Sequence, residues 1–104
     1  MPNKHKGEVS LKAGDKEYIF KLTFNRLVEL EEMGIVLIEG FEATAANIRK
    51  LFFALASGQN GVESLEDAGD LLDTIGFTKA SELTGEVISL FFQSEEETRK
   101  KEIP

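Results

Sequence analysis

Between Glu8 and Leu22 the chain alternates twice between apolar and polar residues, with a glycine at the midpoint. Val9 and Leu11 share one face, and Glu8, Ser10 and Lys12 the other. Further on, Tyr18, Phe20 and Leu22 share a face, with Glu17, Ile19 and Lys21 opposite. Period-two alternation belongs to strands that bury one side. Ala13-Gly14-Asp15-Lys16 joins the two runs, and its Gly-Asp pair suits a tight hairpin because glycine takes positive φ without a steric penalty. A two-stranded hairpin is marginal by itself in water. The rest of the chain must therefore cover its apolar face, so the expected class is α+β: an N-terminal antiparallel hairpin packed against about four α-helices.

The helices follow at once. Thr23 is a candidate N-cap for a first helix with Phe24, Leu27 and Val28 at helical spacing, Glu29, Glu31 and Glu32 on the wet side, and Gly34 at its end. Ile35, Val36, Leu37 and Ile38, bounded by Gly34 and Gly40, read as extended and form a candidate short third strand. Thr44 caps a second helix over 45–57, with Ile48, Leu51, Phe52 and Leu55 at i, i+3, i+4 and i+7. A loop by composition, Ser57 to Gly61, precedes Ser64, which opens a third helix with Asp67 in a weakened capping box. Its stripe is Leu65, Ala68, Leu71, Leu72 and Ile75, closed by Gly76. Thr78 is expected to cap a fourth helix with Leu83, Val87, Leu90 and Phe91 on one face.

With 104 residues, 41% hydrophobic and 30% charged, the chain suits one folded domain over 1–104, with segments 1–6 and 95–104 expected to be flexible. The complete lack of cysteine excludes disulfides and thiolate metal sites, and a single histidine, His5, cannot build a His cluster. No uninterrupted apolar run approaches the roughly 20 residues of a membrane span, and the polar lead is followed by no apolar core of a signal peptide. A cytoplasmic location is expected. The net charge of −7 is unevenly placed: residues 1–26 hold six Lys/Arg against three Asp/Glu, whereas residues 27–104 hold six against sixteen. An acidic body disfavours nucleic acid and anionic lipid as partners. Glu66, Asp67, Asp70 and Asp73 fall opposite the third helix's stripe and read as a solvated face rather than a catalytic pair, and Glu63 to Asp73 lacks EF-hand ligand spacing. Neither phosphate-cradling glycine motif is present. The expectation is a protein without catalytic residues, cofactor or metal.

Phe52-Phe53 and Phe91-Phe92 each set adjacent rings about 100° apart on a helix, so one of each pair must leave the centre of its stripe. With Ile88 beside Phe92, the last helix has an apolar arc wider than one core wall requires. Both rings can line a broad core, or the outer ones can meet a partner. The candidate partner-binding set is Ile35, Val36, Leu37, Ile38, Phe53, Ile88 and Phe92, and self-association is expected where a partner is absent.

The lead Lys4-His5-Lys6-Gly7-Glu8-Val9, the hairpin with Gly14-Asp15, and the stretch Leu22-Thr23-Phe24-Asn25-Arg26-Leu27-Val28-Glu29-Leu30-Glu31 resemble the small tail proteins of phages and phage-derived gene transfer agents. The specific part of this resemblance covers about the first third of the chain. It implies a role in virion assembly as a tail assembly chaperone, which binds the tape-measure protein, and in some settings the tail tube protein, before the tube polymerises. The same family has carried a tail tube label, so a structural tube or head–tail connector subunit stands as an alternative, and an acidic phage regulator that binds a host protein as another. A mainly helical acidic chain favours the chaperone, because a tube subunit is usually larger and rich in strand.

Overall fold

The computed structural model describes residues 7–102, with side chains through Gln93. Strand β1 spans Glu8–Ala13 and β2 spans Lys16–Lys21, antiparallel, with Val9 opposite Phe20, Leu11 opposite Tyr18 and Ala13 opposite Lys16. Gly14 takes φ +66° at the first position of the two-residue loop, the glycine placement of a type II′ turn. Val9, Leu11, Tyr18, Phe20 and Leu22 are all buried, as the alternation requires. Four helices follow: α1 (Phe24–Glu32), α2 (Ala45–Ala56), α3 (Leu65–Ile75) and α4 (Phe77–Glu102). The α+β class is thus as expected.

Caps expected from sequence hold three of these helices. Thr23, Thr44 and Ser64 accept the backbone N–H of Arg26, Asn47 and Asp67 at 3.2, 3.1 and 3.1 Å. Asp67 in turn accepts the N–H of Glu63 at 2.9 Å, one residue ahead of the usual capping-box donor. At the end of α1, Gly34 (φ +91°) donates to the Glu31 carbonyl and Ile35 to that of Leu30, the paired bonds of a Schellman motif. Lys50 on α2 donates to the Met33 carbonyl at 3.0 Å, placing a cation on the negative end of α1.

Two expectations need correction. Among the described residues the sheet has two strands, and Ile35 to Ile38 supplies no third: Leu37–Glu39 forms one 3₁₀ turn instead. The Schellman turn aims Ile35 into the core, and the short turn folds Leu37 in after it, so this run is a connector that buries alternate residues and leaves Ile38 outside. Thr78 caps nothing, because α4 begins at Phe77 directly after Gly76, whose φ of +85° redirects the chain between two helices in one residue. Helix α4 continues ten residues past Phe92 to Glu102. Glu, Lys and Arg, which fill this stretch, are good helix formers. The segment 1–6 and residues 103–104, also expected to be flexible, lie outside the described residues.

The hairpin's inner face is roofed by α2 under β2 and α4 under β1, with α1 packed on α2 and α3 between α2 and α4. The Phe20 and Phe52 rings meet edge to face with centroids 5.1 Å apart. Among the described residues one buried polar group interrupts this core. Thr84 on α4 is 5% exposed, and its Oγ1 has no hydrogen-bond partner. A buried hydroxyl without a partner costs about 1–3 kcal/mol. Thr84→Val, which keeps the shape and removes that group, is expected to raise stability by about 1 kcal/mol, read as a higher urea midpoint. An unchanged or lower midpoint would mean that the hydroxyl finds a partner in solution.

Candidate functional site

The seven candidate contact residues divide three ways. Ile35 and Leu37 are buried and belong to the core, which removes them from any contact surface. Val36, between them, is half-buried, while Ile38 is 68% exposed on the 3₁₀ turn. Phe53 and Ile88 are half-buried and pack against the core. Phe92 is half-buried too, but its neighbour is the Phe91 ring, with centroids 5.2 Å apart and planes nearly perpendicular, and it adds nothing to the core cluster.

These residues do not make one continuous patch. Phe53 opens into the cleft between α1 and α2, whereas Ile88 and Phe92 ride on α4, which touches α2, α3 and the hairpin but not α1.

Other apolar side chains were missed in sequence. Phe24 is 72% exposed and Phe77 62%, and Val28 is exposed as well. Phe24 and Val28 lie one turn apart on α1, on a flank away from the buried pair Leu27 and Leu30. At 100° per residue these four span an arc of about 160°, too wide for one short helix to bury against a single neighbour. That angular spread was the readable signal.

Three clefts, one of them with a polar side hollow, open on the surface, and the first two border these residues. One of about 270 Å³ lies between α2, α3 and the start of α4, with Ile48, Leu72 and Ala80 as walls, exposed Phe77 at its mouth, and Arg49 and Asp73 at the rim. Gly69 faces the Arg49 side chain there at ordinary van der Waals distance, 3.5 Å from a Cβ position to Arg49 Cδ. A second, about 330 Å³, runs between α1 and α2 past Met33, Phe53 and Ala54, bordered by the Arg26–Glu29 ion pair at 2.7 Å. It adjoins a more polar hollow of about 430 Å³ that reaches the open side of β2 at Lys21. The third, about 390 Å³, is acidic, with Asp15, Asp67 and Asp70 around Tyr18.

Chemically the first two clefts offer apolar walls with charged rims, the pattern that receives side chains of a partner helix. Among the described residues no three His, Cys, Asp or Glu side chains gather as a metal site, and no helix is long and apolar enough to cross a membrane. The carboxylates Glu66, Asp70 and Asp73 are exposed, and the half-buried Asp67 is engaged in capping α3. His5 lies outside the described residues. No protein-family model matches the chain, and neither a curated protein nor a solved structure was found to be similar to it.

Proposed function

We propose that this chain is a tail assembly chaperone of a phage, prophage or gene transfer agent, binding the tape-measure protein in the cytoplasm of the bacterial host before the tail tube forms. The observation that carries this reading is the set of large apolar side chains left outside the core: Phe24, Ile38 and Phe77 are mostly exposed, and half-buried Phe92 stands beside Phe91 outside the core cluster. The resemblance of the opening residues supports it. So does the small sheet, since a tube subunit relies on a larger one. A tape-measure protein is a long helical chain with apolar stripes, and the cleft at Phe53 and the cleft at Phe77 are apolar enough to receive such side chains. In this reading the chain shields those stripes and acts by binding alone, without catalysis, cofactor or metal. The contact set becomes Val36, Ile38, Phe53, Ile88 and Phe92, joined by Phe24 and Phe77.

Phe92→Ser is expected to leave the unfolding midpoint nearly unchanged and to weaken tape-measure binding by about 1–3 kcal/mol. Co-expression is the direct assay. This chain should keep the tape-measure protein soluble and then be missing from finished tails. Its presence as a stoichiometric part of mature tails would establish the tube or connector reading instead.

A further inference from the structure

The two edges of the hairpin are treated differently. On β2 the outward groups of Ile19 and the outward carbonyl of Glu17 are occupied by side-chain amides from the loop after α2. Ile19 donates its N–H to Gln59 Oε1 and accepts from Gln59 Nε2, both at 2.8 Å, and the Glu17 carbonyl accepts from Asn60 Nδ2 at 2.7 Å. Ile19 stands opposite Ser10 in the ladder. Because Ile19 directs both its groups outward, the Ile19–Ser10 pair exchanges no bonds, and Ser10 also turns its N–H and C=O away from the partner strand. Lys12, two residues on, does the same. Among the described residues nothing bonds to these groups of Ser10 and Lys12. The lone bond of the Ser10 side chain runs from its hydroxyl to Glu17 at 3.0 Å. An edge strand with open backbone groups is a template for another strand.

We propose that the β1 edge is a self-association surface, on which a second copy of this chain lays its own β1 antiparallel about a two-fold axis at Ser10, making one four-stranded sheet across the dimer. Charge selects both occupant and register. With Ser10 opposite Ser10 of the second copy, Glu8 lies directly opposite Lys12 and, by symmetry, Lys12 opposite Glu8. Of the two-fold registers this strand allows, only that one makes the opposite-charge pairs. Centring on Glu8 or on Lys12 sets like charges against each other. The register also satisfies the pleat: Val9 meets Leu11 on the inner face, so the buried faces of the two sheets run on into each other. This surface is independent of the tape-measure reading and stands or falls separately from it.

Sedimentation equilibrium of the full chain tests it. The wild type is expected to form a reversible dimer. Lys12→Glu, at an exposed position, should raise the dimer Kd about tenfold at low salt by opposing like charges twice. Adding Glu8→Lys to Lys12→Glu should restore the wild-type Kd even though it sets position 8 against Lys21 and position 12 against Glu17 within each hairpin and so lowers monomer stability, a combination that damage to the monomer fold would not produce. Ser10→Pro removes an N–H that the monomer does not use and should leave a helical, folded monomer that no longer dimerises; if that variant fails to fold, the charge exchange decides. A wild type that stays monomeric at all concentrations would overturn the proposal. So would a dimer indifferent to these changes but dissociated by Phe24→Ser or Phe92→Ser, which would assign the contact to a helical face.

Discussion

Phe20→Ala is expected to remove about 3–5 kcal/mol of folding stability, a large share of the 5–15 kcal/mol typical of a domain. Phe20 has 0% exposure at the centre of the hairpin's inner face. Its ring meets Phe52 of α2 at 5.1 Å and Tyr18 of its own strand at 6.4 Å. Truncation therefore opens a cavity between sheet and helix just where the hairpin depends on its cover, and two aromatic contacts go with it. Each kcal/mol lowers the melting temperature of a domain this size by about 4–8 °C, so the variant should be barely folded at 37 °C. Phe20→Leu keeps most of the volume and should cost much less, about 1–1.5 kcal/mol. Thermal unfolding of both checks the argument. Equal melting points for wild type and Phe20→Ala would mean that the strands present their other face to the helices.

Gln59→Ala is expected to cost about 1–3 kcal/mol, unusually much for a loop glutamine. Its amide bonds the Ile19 N–H, the Ile19 carbonyl and the Leu55 carbonyl at 2.8, 2.8 and 3.0 Å. The side chain thus stands where the backbone of a third strand would stand and ties the loop after α2 to the sheet edge. Gln59→Glu separates the two halves of this role. It keeps an acceptor for the Ile19 N–H but sets a carboxylate oxygen against the Ile19 and Leu55 carbonyls, so it should be no better tolerated than alanine. Hydrogen exchange supplies a local reading: the Ile19 amide should lose protection in Gln59→Ala before the amides of Phe20 or Leu11 do. If Ile19 already exchanges quickly in the wild type, the side chain does not hold the edge.

The parts of this fold that are legible in the sequence are the local ones. Period-two alternation shows the buried face of the hairpin, because the pleat dictates which residues share a side. Thr23, Thr44 and Ser64 mark helix starts because a cap satisfies donors only three residues away. Gly34 and Gly76 mark helix ends because their positive φ is a property of the glycine itself. What the tertiary structure alone decided is what each apolar residue meets. Ile35 and Leu37 read as strand or contact surface until the turn after α1 delivers them to the core. Phe24 and Val28 read as core until α1 is seen to bury only its Leu27 and Leu30 flank. Gln59 reads as one polar loop residue, yet its partner lies forty positions earlier on the edge of β2. The difference is one of range. Backbone dihedrals, caps and the pleat are set within a few residues, whereas burial, edge protection and exposed surface depend on which distant segment arrives, and hydrophobic attraction has no direction with which to name that segment beforehand.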